Sequence, residues 1–110
     1  MTIEYAKLHG LGNDYLFIDT ARHPIADPGA LSRAMSHRHL GAGADGIILV
    51  MQGEDHPFRM RIFNADGSEA EMCGNGSRCF ALYCARLKGR SVLALKIETL
   101  AGIIAAHVNK

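Results

Sequence analysis

The sequence predicts an α+β domain that is mostly strand, wrapped around one central helix. Three observations point that way. Short apolar runs, alternating or rich in β-branched residues, recur along the chain, and glycine-rich turns separate them. One longer run, from Ser77 to Leu87, is apolar on more than one face, as expected of a helix enclosed by sheet.

Ile3 to Leu8 alternates apolar and polar residues and reads as a half-buried strand. His9-Gly10-Leu11-Gly12-Asn13-Asp14 breaks it with two glycines and two turn formers, and Tyr15 to Asp19 reads as a more buried strand. Asp27 followed by Pro28 marks a helix start, the carboxylate as N-cap and proline at the first helical position. Its buried stripe is expected at Leu31, Met35 and Leu40, with the helix running to about Arg38 or His39. Gly41 to Gly46 is a second glycine-rich turn, leading into the β-like run Ile47 to Met51. After a polar loop from Gln52 to Pro57, Phe58 to Phe63 alternates again. The turn Asn64-Ala65-Asp66-Gly67-Ser68, with Asp-Gly at its tip, predicts a hairpin. The central helix follows, with Gly89 as its C-cap. Two strands close the chain, Ser91 to Glu98 and Ile103 to Val108, joined through Ala101-Gly102.

A length of 110 residues makes one domain, able to bury roughly two-thirds of its unfolded surface. A formal charge of +1 gives no reason to expect nucleic acid or an anionic membrane as partner. No run approaches the ~20 apolar residues that span a bilayer, and no secretory signal is visible at the N-terminus. The three cysteines, Cys73, Cys79 and Cys84, do not form a disulfide framework. Reduced thiols in a cytoplasm are expected.

The chemistry concentrates at Met72-Cys73-Gly74-Asn75-Gly76-Ser77-Arg78-Cys79. Cys73 stands on a glycine-flanked turn just before the central helix, where exposed amides carry partial positive charge. A thiol held there loses its proton more readily than a free one, whose pKa is about 8.5. Gly74 and Gly76 keep the amides accessible to an anionic group. A buried structural cysteine needs neither feature, so Cys73 reads as reactive, whereas Cys79 and Cys84 lie inside the helix and read as packing residues. The cysteines lack Cys-x-x-Cys spacing, and the six histidines form no cluster with them, so no metal is expected. Gly10 to Asp14 lacks the third glycine of a dinucleotide fingerprint, and Gly41 to Gly46 lacks the Lys-Ser/Thr of a phosphate loop. Asn13, Asn64 and Asn75 each sit in a glycine-rich turn. Together these turns suggest a pocket built by loops at one end of a sheet.

Four segments carry a family resemblance: His9 to Tyr15, Gly43-Ala44-Asp45-Gly46, Phe63 to Ala70, and Met72 to Cys79. In that order and spacing they resemble diaminopimelate epimerase, over essentially the whole chain. The resemblance implies two pseudo-symmetric lobes, each a mixed or antiparallel barrel-like sheet around a central helix. Residues 1–110 would be the N-terminal lobe, with the C-terminal lobe missing. It implies interconversion of LL- and meso-diaminopimelate, on the way to lysine and peptidoglycan precursors, with no pyridoxal phosphate, no metal and no other cofactor. Two thiols would face opposite sides of the substrate α-carbon, one as base and one as acid.

By the same resemblance Cys73 matches the catalytic cysteine, Gly74 and Asn75 the cradle for the substrate carboxylate, and Asn13 and Asn64 substrate-binding asparagines. Gly46 stands where many members carry a glutamine that contacts substrate. The second catalytic cysteine and its Cys-Gly-Ser/Thr-Gly turn do not occur in this sequence, so the chain by itself is expected to be inactive. The full-length enzyme is expected to bind a small amino acid and to admit a homodimer. A proline or hydroxyproline racemase lobe is an alternative, although those relatives typically carry histidine after the Cys-Gly where this chain has Asn75. A remnant lobe that only associates is a third reading.

Overall fold

The computed structural model describes residues 5–10, 13–37, 41, 43–56, 58–71, 80, 83 and 92–109. They form one helix, α1 (Pro28–Ser36), and seven strands: β1 (Ala6–Gly10), β2 (Asn13–Asp19), β3 (Gly46–Gln52), β4 (Phe58–Asn64), β5 (Glu69–Ala70), β6 (Val92–Thr99) and β7 (Gly102–Asn109). Phe80 and Tyr83 are also helical. Most of the expected central helix, its Gly89 cap and all three cysteines lie outside the described residues.

The seven strands form one mixed sheet in the order β1-β2-β3-β4-β6-β7, with β5 paired to β4. Pairs β1–β2, β3–β4, β4–β5 and β6–β7 are antiparallel, whereas β2–β3 and β4–β6 are parallel. Among the described residues the sheet is open, with β1 and β7 at its edges. The far edge of β4 is shared. Ile62 and Phe63 pair with β5, and Phe58 and Arg59 pair with β6.

Each parallel pair needs a crossover over one face of the sheet. The two crossovers step the same way across the sheet, but β2 and β3 run opposite to β4 and β6. Right-handed crossovers then require their helices on opposite faces. The side chains are arranged accordingly. Tyr15, Phe17, Ile48, Val50, Met60, Ile62 and Ile97 form one buried cluster with Phe80, and Tyr83 packs against it. Leu16, Ile18, Ile47, Leu49 and Phe63 form the other, against Leu31 and Met35 of α1. Consecutive residues of β2 and β3 thus serve opposite faces, which explains why their central runs, Tyr15 to Ile18 and Ile47 to Met51, are continuously apolar.

The first face is aromatic at its centre. Phe17 lies 5.3 Å from Tyr83 and 6.5 Å from Phe80, centroid to centroid, and Phe58 meets Phe80 edge-on at 6.1 Å. Fully burying a side chain such as Phe17 contributes about 1.5–3 kcal/mol, and well-placed ring pairs add about 0.5–1.5 kcal/mol. A partly exposed ion pair contributes about 0–1 kcal/mol. The bidentate Arg61–Glu69 bridge, at 2.7 and 3.0 Å, is of that smaller kind. The aromatic core therefore holds the sheet to its helices, and the bridge chiefly sets the register of β5 on β4.

α1 begins as expected. The Asp27 carboxylate accepts from Ala30 N–H at 3.1 Å, with Pro28 in the first turn. It ends earlier than Arg38 or His39, because His37 is already extended. The chain returning from the helix caps it: Gly43 and Ala44 donate to the carbonyls of Met35 and Ser36 at 3.1 and 3.2 Å. Its buried face also differs from the expected stripe. Leu31 and Met35 are half-buried, Ser32 and Ser36 are buried, and Leu40 lies outside the described residues.

At the far end of the sheet, the Glu98 carboxylate of β6 accepts from the amides of Glu54, Asp55 and His56 at 2.9, 2.8 and 3.0 Å. These bonds, led by that from Glu54, hold its carboxyl below the usual carboxylate range. The unfolded chain therefore takes up this proton at higher pH than the folded one. The clasp contributes fully above the unfolded value and is lost as pH falls through the folded one. Glu98→Gln should therefore melt at lower temperature than the parent near neutral pH. The gap should close below about pH 4. Thermal melts across that range check this, and a gap independent of pH would contradict it.

Candidate functional site

One end of the sheet gathers the residues singled out from sequence. β2 starts at Asn13, β3 starts at Gly46 and β4 ends at Asn64. Register aligns them, since Gly46 lies opposite Tyr15 on one side and Asn64 on the other. β5 starts opposite Phe63 and leads through Glu71 to residues 72–79. The structure thus brings Asn13, Gly46 and Asn64 to the end of the sheet from which the chain runs toward Cys73. Cys73, Gly74 and Asn75 lie outside the described residues.

Asp45 ties this end together. Its carboxylate accepts from the Asp14 amide at 2.7 Å, and its own amide donates to the Asp14 carbonyl at 2.9 Å. Its carbonyl accepts from Ala65 N–H at 3.0 Å. One residue therefore joins the start of β2, the start of β3 and the turn after β4.

Gly46 is buried, and a Cβ there would collide with the carbonyl oxygen of Phe63. On this backbone position 46 serves close strand approach and offers no room for a side chain.

The Asn64 turn is held from inside and from its own tip. Ser32 of α1, fully buried, donates its hydroxyl to the carbonyls of Phe63 and Asn64 at 3.2 and 2.7 Å. Asn64 donates its amide to the Ser68 carbonyl at 2.8 Å, and Gly67 donates to the Asn64 carbonyl at 2.9 Å. Gly67 has φ of +93°, a conformation that few residues other than glycine adopt readily. Asn64 itself is exposed, and its Nδ2 donates to Ser68 Oγ at 3.1 Å. Ser68 donates both its hydroxyl and its amide to Asp66 Oδ1, at 2.6 and 2.8 Å. The hydroxyl bond first, then the amide bond, hold the Asp66 carboxyl below its usual range. On the flank, the Arg61 guanidinium lies over the Phe63 ring at 5.0 Å while it grips Glu69, which raises its own pKa.

Ser32, Asp45 and Ser68 were not picked out from sequence as site residues. A signal existed for two of them. Ser32 and Ser36 repeat at helical spacing beside Leu31 and Met35, and Ala-Asp-Gly occurs twice, at 44–46 and at 65–67. Among the described residues, no group of three His, Cys, Asp or Glu side chains could hold a metal ion. Nor is any described helix long and apolar enough to cross a membrane.

The fold recurs in solved structures. A protein described as a predicted epimerase from Pseudomonas aeruginosa superposes with a TM-score of 0.77 at 20% identity, over 99% of this chain and 39% of that one. A phenazine biosynthesis protein of the PhzF family from Bacillus anthracis gives 0.65 at 24% identity, over 94% of this chain and 33% of that one. At such identities the likeness shows the fold alone: an α+β architecture of the epimerase and PhzF type. Sequence goes further. The family model for diaminopimelate epimerase matches residues 5–110, and the chain belongs to that family. Similar relatives, each named diaminopimelate epimerase, include those of Halothermothrix orenii, 50% identical over 98% of this chain, and Desulforudis audaxviator, 46% identical over 96%. The chain spans 39% and 38% of their lengths.

The two buried serines of α1 make contrasting predictions. Ser32→Ala removes the donor shared by two carbonyls and should cost about 1 kcal/mol. Ser36, whose buried hydroxyl has no hydrogen-bond partner among the described residues, should tolerate alanine within about 0.5 kcal/mol. Urea unfolding of both variants checks this, and equal losses would contradict the role given to Ser32.

Proposed function

We propose that this chain supplies one half of a diaminopimelate epimerase site, with Cys73 as one of two acid–base thiols. The observation that carries the reading is the convergence of Asn13, Gly46 and Asn64 at one end of the sheet, with only the short strand β5 and Glu71 between the Asn64 turn and residues 72–79 in the chain. The family match over residues 5–110 supports it.

In this reading the Cys73 thiolate takes the proton from the substrate α-carbon, and the C–H electron pair stays on carbon. An opposing thiol then gives its proton to the other face, so that the configuration inverts. The first sulfur ends as thiol and the second as thiolate, and the reverse reaction exchanges their roles. The α-proton of an amino acid is very weakly acidic, so the developing negative charge needs stabilisation. Amides of Gly74 and its neighbours, aimed at the substrate carboxylate, would supply it electrostatically. Asn13 and Asn64 would hold polar groups of the substrate and orient the α-carbon. No cofactor enters this scheme. The sequence has no second Cys-Gly-Ser/Thr-Gly turn, so the opposing thiol would come from outside these residues.

The test is competition against alkylation of the thiols. With iodoacetamide, diaminopimelate should slow modification of Cys73 and leave Cys79 and Cys84 unaffected, as read by peptide mass mapping. Protection by proline in place of diaminopimelate would move the assignment to a racemase. Equal modification of Cys73 with and without diaminopimelate would contradict the reading.

A further inference from the structure

We propose that Ser68, locked by Asp66, is a positioning residue that fixes which way the Asn64 carboxamide faces. The proposal rests on the reading of Asn64 as a substrate-binding residue and explains how that residue comes to be oriented.

A carboxamide can turn by 180° and exchange its donor for its acceptor, so an exposed asparagine has two near-equivalent orientations. The Asn64 turn removes one of them. Ser68 Oγ lies 2.6 Å from Asp66 Oδ1, and an ionised carboxylate can only accept. The hydroxyl proton is therefore committed to Asp66, and Ser68 Oγ has only lone pairs left for its other neighbour. That neighbour is the Asn64 side chain, with Nδ2 at 3.1 Å. In the opposite orientation Oδ1 would face an oxygen with no proton to offer. The chain of bonds Asn64 Nδ2–H to Ser68 Oγ–H to Asp66 thus has one direction, and charge at its end strengthens both links.

Two further observations support it. The Asp66 carboxyl is held below its usual range, chiefly by the Ser68 hydroxyl and then by the Ser68 amide, with Arg33 of α1 adding a favourable charge. The relay is therefore intact at neutral pH. The main chain at Asn64 is also fixed, by Ser32, Gly67 and the Ser68 carbonyl, so the carboxamide is the part left to be set. With Nδ2 turned to Ser68, Oδ1 and the second amide proton remain for a ligand, one acceptor and one donor at fixed places. That pair suits the ammonium and carboxylate of an amino acid.

Two measurements on the ¹⁵N-labelled chain test this. The first is the Asn64 side-chain amide signal. In the parent it should give two well-separated proton resonances, one with a nuclear Overhauser contact to Ser68. Ser68→Ala should move the pair to the position of a free carboxamide, and Ser68→Thr, which keeps the hydroxyl, should restore it. Asp66→Ala should release the Ser68 proton to Asn64 Oδ1 and average the two orientations, while the backbone amide spectrum reports that the fold is retained. The second is titration with diaminopimelate. Ser68→Ala should weaken binding roughly three- to tenfold, and adding it to Asn64→Ala should weaken binding no further. Unchanged Asn64 side-chain signals in a folded Ser68→Ala chain would overturn the proposal, as would additive losses. If Asn64→Ala binds diaminopimelate as tightly as the parent, the substrate-binding reading of Asn64 falls, while the side-chain signals still decide whether Ser68 sets its orientation. Side-chain signals that stay unchanged in Ser68→Ala, with Asn64→Ala still weakening binding, would sink only the relay.

Discussion

Asp45 holds three chain segments that no strand ladder joins at that point. The Asp14 amide at the start of β2, the start of β3, and the Ala65 amide beyond the end of β4 all bond to this one residue. A sheet end is where backbone donors run out of partners, and an unpaired one that is shielded from water costs as much as a lost hydrogen bond. Bonds to an ionised group contribute about 1.5–3 kcal/mol, more than neutral ones. The Asp45 carboxylate therefore does at the mouth of the sheet what the ladder does in its middle. Asn13, Gly46 and Asn64 all lie at the end that it closes.

Below the mouth, packing takes over. β2 and β3 are buried on both faces, α1 covering one and the segment containing Phe80 and Tyr83 the other. The opposite placement of the two crossovers follows from strand direction and the handedness rule, so the two clusters are consequences of one topology. By magnitude the aromatic and aliphatic core dominates and the Arg61–Glu69 bridge is minor. Polar contacts nevertheless decide where the end of the sheet and its turns sit. Ser32 reaches from the core to the Asn64 turn, and the Asp66–Ser68 pair sets the tip of that turn. The core supplies stability, and a few buried or charge-assisted hydrogen bonds supply placement.

Much of this was legible in the residues. The strands announce themselves by alternation or β-branching; the structure extends β2, β3, β4 and β7 by a residue or two, whereas β1 begins only at Ala6 and runs on to Gly10, and β6 ends one residue later, at Thr99. Asp27-Pro28 marks the start of α1 and Asp66-Gly67 the hairpin, because caps and turns are local chemistry. The end of α1 was not legible, since the amides that cap it, Gly43 and Ala44, return from beyond the helix. Strand order was not legible either. The pairing of β4 with β6 joins Phe58 to Ile97, and no local pattern encodes such a contact. In the candidate site, Asn13, Gly46 and Asn64 were found through glycine-rich turns and family likeness. Ser32 and Asp45 act through partners some thirty residues away, which sequence order hides.

Ser32 and Asp45 hold the Asn64 turn and the starts of β2 and β3 through hydrogen bonds that span some thirty residues of chain. Asp45 closes the end of the sheet at which Asn13, Gly46 and Asn64 lie. Hydrogen exchange in Asp45→Ala, with Asp45→Asn as the milder change, tests it most directly. The Asp14 amide should lose protection at once, and the Ala65 amide, bonded to the Asp45 main-chain carbonyl, should lose it as well. The mid-strand amide of Ile48 should keep it. Unchanged protection at Asp14 and Ala65 would contradict the account.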